Sequence, residues 1–489
     1  MFIDLASPVR KSILAAVAAG TLGAAGTVVA ADWVMLQAME PPKSTHRVFG
    51  VVQASYTNFF GCDKLQGLRD VGPNQFSLLN GSYNGNCRVG PELRDKQADF
   101  NLDNLAIGLR GNLIPGRINY FTMVNAGMNG STYDPLDTDR ARLLSVTDAT
   151  MTFSYVPGVR VRVGLMKKPG PEELYQGLDA VNYIWPTDFI ARVQVERFVR
   201  TNAKGTRPLP GQSDGTASFG GYDSDIGRDW GIQFFDAFKR GKWTHTYAVM
   251  IGQGSGVHDL KDYNNEKDLN LYFSSEHDLP GGMGPNKHGV KFYGYHQRGT
   301  RNFEVTPDGD LSEDFDFTRH GFGVKALGEI FGAGRGRHRL GAELMYANGM
   351  VFYTPTGNVI DEAFGGQLQI AAEKGNKARG LTIDYGYYLN STWDFSVRYW
   401  RNDELYRTLG TPTWNEADHR KIQGVTFGVN YRFNPRTRLT ANLELRDVKV
   451  PNAVYLGGTP EMRAIQTSNA RIVSDSVGAR LGLQITHTF

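Results

Sequence analysis

The sequence predicts an all-β fold, a sixteen-stranded antiparallel transmembrane β-barrel with a long third loop folded inward. Three observations predict it. Runs of about ten residues alternate polar and apolar side chains, which is the two-residue period of a strand with one wet and one apolar face. Minimal turns follow these runs at one end and long segments rich in Gly, Asn and Pro at the other, the asymmetry of a barrel with short periplasmic turns and long outer loops. The final run closes on an aromatic residue, Phe489.

The 489 residues carry 53 Lys and Arg against 50 Asp and Glu, a formal charge of +3 that does not suit a nucleic-acid binder. Any preference for anions must therefore come from where the charges sit. Past the N-terminus no apolar run reaches ~18 residues, which argues against spanning helices. Residues 1–31 read as a secretory signal peptide: Arg10 and Lys11 precede a small, apolar run, and Val29, Ala30 and Ala31 offer a cleavage site. Residues 32–46 then make a short periplasmic lead and 47–489 the barrel, with 169–227 as a constriction loop. Cys62 and Cys87 are the only cysteines and share one loop. Outside the cytoplasm they are expected to pair, contributing about 3 kcal/mol by restricting that loop.

The first strand spans Arg47 to Thr57, with Val48, Val52, Ala54 and Tyr56 on one side. Asn101 to Asn112 and Arg117 to Gly127 follow a long loop and meet across a Pro115-Gly116 turn. The clearest hairpin comes next. Ala149, Met151, Phe153 and Tyr155 oppose Asp148, Thr150, Thr152 and Ser154; Pro157 and Gly158 turn the chain; Val159, Val161, Val163 and Leu165 then alternate with Arg160, Arg162, Gly164 and Met166. Alternation stops until Gly227. It resumes in Arg228 to Phe238, Trp243 to Gly252, Asp268 to Glu276, Val290 to Thr300, Thr318 to Gly328 and His338 to Asn348. Ala378 to Tyr388, Thr392 to Asn402, Lys421 to Phe433, Arg438 to Val448 and Val477 to Phe489 complete sixteen runs. An even number brings the two ends of the sheet together, so it closes without an exposed edge.

Arg160 and Arg162 would cost about 2 to 4 kcal/mol each on a lipid face, so phase aims them at the lumen. Lys291, Lys325, Arg398, Arg432, Arg446 and Arg480 share that phase, as do Asp229, Asp394 and Glu444. In the insertion Arg192, Arg197 and Arg200, with Lys204 and Arg207, are placed to face a passage, and Glu172, Glu173, Asp179, Asp188 and Glu196 balance them. An anion about 4 Å from one guanidinium gains roughly 4 kcal/mol at an effective dielectric near 20, and several weak contacts in series let it leave again. No Gly-x-Ser-x-Gly elbow, Walker loop or His-Glu-x-x-His helix occurs, so no catalytic residue, metal or cofactor is expected. Asp308, Asp310, Glu313, Asp314 and Asp316 read as an acidic surface loop, with a divalent cation as the alternative.

Phe100 to Asn112 reads FNLDNLAIGLRGN, Ile118 to Gly127 INYFTMVNAG, Tyr155 to Glu173 YVPGVRVRVGLMKKPGPEE, and Gly227 to Asp236 GRDWGIQFFD. Together these segments resemble the phosphate-selective porin O/P family of Gram-negative outer membranes. The resemblance implies a homotrimer of sixteen-stranded barrels in the outer membrane, passing small anions, phosphate or polyphosphate among them, by diffusion. It places Arg160, Arg162, Lys167 and Lys168 on the matching hairpin and Arg192, Arg197 and Arg200 on the constriction loop, together the anion pathway. Phe489 resembles the membrane-assembly signal of bacterial barrels. The partners implied are outer-membrane lipid, lipopolysaccharide and small anions such as phosphate. Two other readings stand beside this one: a general, non-selective porin, and the barrel sheath of a porin–cytochrome electron conduit. The chain has no Cys-x-x-Cys-His, so a partner would bring the haem of such a conduit.

Overall fold

A computed structural model describes residues 33–489 except 39, 42, 68–79, 82, 84–86, 88–95, 128–143, 179, 196, 200–221, 225–226, 255, 258–264, 283–286, 305–311, 333, 335, 350, 353–370, 373–376, 406–418, 450–458 and 475–476. Five strands precede the long insertion: β1 (Arg47–Phe60), β2 (Ala98–Ile114), β3 (Ile118–Ala126), β4 (Ser145–Val156) and β5 (Val159–Lys167). After it come β6 (Arg228–Arg240), β7 (Trp243–Gly252), β8 (Asp268–Asp278), β9 (Gly289–Glu304), β10 (Ser312–Gly328) and β11 (Arg337–Asn348). The ring is completed by β12 (Lys377–Tyr388), β13 (Trp393–Leu405), β14 (His419–Asn434), β15 (Thr437–Lys449) and β16 (Val477–Thr488). Each strand pairs antiparallel with its chain neighbours, and β16 pairs with β1 to close the barrel, Val52 opposite His487 and Phe60 opposite Ala479.

Phe489 seals this seam at the short-turn end. Its N–H donates to the Gly50 carbonyl (3.1 Å) and its carbonyl accepts the Gly50 N–H (3.2 Å). The ring fills the space that a Cβ at Gly50 would need, so a glycine there admits the last residue of the chain.

The two-residue period sorts side chains by solvent. In β4, Val146, Met151 and Tyr155 are exposed on the outside, while Asp148, Thr150 and Thr152 are buried inside. Phe273, Phe292, Phe322, Ile383, Phe427 and Leu483 continue the exposed apolar band around the wall, and Trp243, Trp393 and Tyr385 stand towards the short turns. In water such a band would be misplaced; around a closed sheet it is a surface for lipid chains. The outer end of the wall is uneven. Arg298, Lys377, Arg379, Arg401, Lys421 and Lys449 are exposed on its outer face along β9 to β15, whereas Phe60, Phe100, Leu102 and Val146 occupy that level on β1 to β4.

Two parts depart from the sequence reading. Glu313, Asp314 and Asp316 belong to β10 and not to a loop, Asp308 and Asp310 lying outside the described residues. No group among the described residues is arranged to hold a metal ion. The last outer loop contains a helix the alternation pattern does not announce, here numbered with two short helical turns: α1 (Trp33–Leu36), α2 (Glu172–Tyr175) and α3 (Pro460–Ser474). Its start signal is local. Thr459 accepts the Met462 N–H (3.2 Å) as N-cap, and Pro460 occupies the first helical position, where its missing N–H costs nothing. Asn469 of α3 is fully buried and exchanges two hydrogen bonds with the Gln66 backbone, 2.9 and 2.8 Å, tying α3 to the loop closed by the Cys62–Cys87 disulfide.

Candidate functional site: the occupied lumen

The interior of the barrel is built by the insertion after β5. Pro169, Gly170 and Pro171 stop the strand, and α2 begins at once. Lys167 Nζ donates to the carbonyls of Leu174, Tyr175 and Gln176 (3.3, 3.3 and 2.6 Å), so the hairpin's last cation caps this turn. Glu172 reaches β9 and β10, accepting from Lys291 (2.5 Å) and Lys325 (3.0 Å), and also from the indole of Trp33 (3.0 Å). Burial alone would raise its pKa; the two lysines overcome that and hold it below the ordinary carboxylate range. Glu173 faces the other way and accepts from Arg398 Nη1 on β13 (2.6 Å) and from the Thr187 hydroxyl (2.6 Å).

The chain then continues across the bore. Arg480 of β16 stacks on Trp185, its guanidinium 4.0 Å from the ring centre. Asp188 accepts from Asn402 (3.0 Å) and Arg446 (3.1 Å), and Arg192 grips Glu404 with two hydrogen bonds of 2.7 and 3.0 Å. Phe189, Ile190 and Val193 are buried with the inward rings Tyr272 and Tyr295 and with Met345, an apolar core inside the barrel. Residues 172–178 and 180–194 thus touch the wall from β8 round to β16.

A second segment enters from the short-turn end. The lead expected to lie in the periplasm runs along the inner wall of β2 to β7, because Val34 and Met35 join Phe235 and Ala248 in one apolar cluster. Arg110 pairs with Glu40 and donates to the Leu36 carbonyl (2.8 Å). Asn112 donates to the Pro41 carbonyl (2.8 Å).

These two segments decide where the basic residues go. Arg162 is 1% exposed and donates to Thr152, Gln37, Gln233 and the Val34 carbonyl at 3.1 to 3.5 Å, with Phe235 stacked beneath it. Arg160 pairs with Asp236 (3.3 Å) and donates to the Ala38 carbonyl (3.4 Å). Lys168 is buried beside Asp229. Arg192 is engaged by Glu404 and Asp188. Arg197 lies in a short ribbon, Arg197–Val199 against Tyr222–Ser224, and Arg200 lies outside the described residues. Arg160 and Arg162 meet the lead, Lys167 the helical turn and Arg192 the far wall, so these cations do not form one continuous row.

An open cavity of about 100 Å³ remains beside α2, on the short-turn half of the lumen. Tyr183 forms part of its roof. Burial first, and then the neighbouring Asp384, push that hydroxyl's pKa up, so it stays protonated and donates to Asp384 (2.7 Å). Across the floor run Arg339, Gly341 and Glu343 of β11. Arg339 and Glu343 do not feature among the cationic and anionic candidates drawn from the sequence. Their signal is nevertheless there: Leu340, Ala342, Leu344 and Tyr346 are the apolar phase of β11, which sends 339, 341 and 343 inward.

No protein-family model and no curated protein matches the chain. Among solved structures it is similar to a loop L8 deletion mutant of OmpT, an outer membrane protein of Vibrio cholerae, with 9% identity over 91% of this chain and 99% of that one, TM-score 0.47. It is also similar to Salmonella typhi OmpF in complex with daunomycin, 9% identity over 92% and 99%, TM-score 0.48. A third is the outer membrane channel DcaP of Acinetobacter baumannii, 11% identity over 91% and 97%, TM-score 0.47. These likenesses concern general shape. The closed ring with its apolar outer band and charged interior carries the conclusion: the chain is a sixteen-stranded β-barrel of the bacterial outer membrane.

Proposed function

We propose that the protein is an outer-membrane porin, a passive path for small polar solutes, and not an enzyme. One observation carries the reading: a charged, hydrogen-bonded interior surrounds an open cavity within a closed ring whose outer face is apolar. Among the described residues, segments 33–38, 172–178 and 180–194 occupy the bore, which supports a narrow channel for small solutes over the wide sheath of a cytochrome. Cations and anions alternate along the lumen, and Arg160 and Arg192, two of the expected anion contacts, already hold carboxylates. Weak charge selectivity follows from that pairing; phosphate or another oxyanion as the favoured solute is the finer reading. The basic outer rim of β9 to β15 suits the phosphates of lipopolysaccharide, and the apolar outer end of β1 to β4 suits a second copy of the chain in a trimer.

The test is planar-bilayer conductance of the refolded mature chain. Stepwise openings with a reversal potential near zero across a KCl gradient are expected. Strong anion-side reversal with block by phosphate would replace the weakly selective reading by the phosphate-selective one, and absence of conductance would remove the porin reading.

A further inference from the structure

We propose that the cavity over Gly341 is a binding subsite for small linear zwitterions, solutes with an anionic group at one end and an ammonium at the other. The proposal rests on the reading of the lumen as a solute path. Its basis is what the cavity's charges leave unused. Glu172 is held by Lys291 and Lys325, and Glu173 by Arg398. Asp384 is held by Arg339, which donates to it through Nε (2.8 Å) and Nη2 (3.1 Å). Glu343 is left as the one carboxylate lining this cavity, among the described residues, with no cation on it. The Tyr293 hydroxyl and the Glu172 backbone N–H donate to it, while its Oε1 is buried without a hydrogen-bond partner. The grip of Arg339 on Asp384 likewise leaves Nη1 buried and unsatisfied. Glu343 is 7% and Arg339 4% exposed, so neither deficit is met by bulk water.

The spacing suits a small molecule. Arg339 and Glu343 lie four residues apart on one face of one strand, which sets their Cα atoms about 14 Å apart. Gly341 lies between them. A Cβ there would meet only the Asp384 side chain, at 3.6 Å, so the floor between the donor and the acceptor is open. A carboxylate or phosphate takes the Arg339 end, an ammonium takes the Glu343 end, and the Tyr183 and Tyr293 rings flank the methylene stem. A solute with one charge satisfies one end and leaves the other buried and unmet, which is a source of discrimination.

The experiment is equilibrium dialysis of radiolabelled 5-aminopentanoate, pentanoate and pentylamine against the refolded mature chain in detergent, with conductance recorded on the same preparation. The zwitterion is expected to bind saturably and at least about tenfold more tightly than either singly charged probe. Glu343→Gln should weaken the zwitterion about tenfold and leave pentanoate unchanged. Gly341→Leu should abolish binding, and Gly341→Ala should retain it and show that the floor tolerates substitution. Equal binding of the three probes, no saturable binding, or binding unaffected in both Glu343→Gln and Gly341→Leu would overturn the subsite. Conductance without zwitterion preference sinks the subsite and keeps the porin; zwitterion binding without conductance does the reverse.

Discussion

Arg162 shows how a residue's role changes when its surroundings arrive from elsewhere in the chain. Phase alone points it into the lumen, where a solvated guanidinium would attract anions. The lead then covers it, and its donors go to Val34, Gln37, Thr152 and Gln233. Arg162→Met should therefore loosen the lead and lower stability by about 1 to 3 kcal/mol, because buried acceptors lose their donor. The readout is thermal unfolding in detergent, and reversal potential should not move. A shifted reversal potential with unchanged stability would restore Arg162 to the permeation path. The direction of each side chain was legible because alternation fixes the face it lies on. Its partner was not: Arg192 and Glu404 are separated by 212 positions, and nothing local in either segment names the other. Glu343 and Arg339 had the same inward signal as Lys291 and Lys325, and only the one buried atom that each leaves unmet distinguishes them.

At the scale of elements, α2 acts as a brace between the crossing segment and the wall. Glu172 carries the load because removing one member of a buried ion cluster leaves the others uncompensated, a cost of about 3 to 5 kcal/mol. The sign of the pH effect follows from its depressed pKa. Stability from this carboxylate is fully present above its ordinary value of 4.5 and is lost only as pH falls through the lower folded value. The contribution of Glu172 should thus be constant from neutrality down to about pH 5, so the loss of stability caused by Glu172→Gln should be the same at either limit, and the variant should give larger, noisier openings at neutral pH. A stability difference that changes between those limits, or a quiet variant of native conductance, would show that the brace does not set the bore. Strands were readable within a few residues because a lipid-facing wall enforces a strict period. The crossing segment answers to contacts all round the bore, so its path had no such rule, and α3 was hidden by a polar composition that only Thr459 and Pro460 announce.

At the scale of the molecule, closure depends on one non-local pairing, β1 with β16, and the last residue completes it. Deleting Phe489 should leave Gly50 without its ring and its two backbone partners, and the fraction of heat-modifiable folded barrel after refolding should fall severalfold. Full recovery would mean that the terminal ring is dispensable for closure. The even strand count and the alternating final strand made closure visible in the sequence, and the insertion was expected to fold inward; the inward course of the lead and the walls that either segment meets were not visible, since nothing local in them names a partner. The seam is also gripped at the opposite end, where the disulfide-closed loop after β1 is bolted to α3 just before β16 by Gln66 and Asn469. Pulling on either terminus therefore loads a strand pair held at both extremities. A force probe should meet its highest peak at this first rupture, and the remaining hairpins should peel away at lower force.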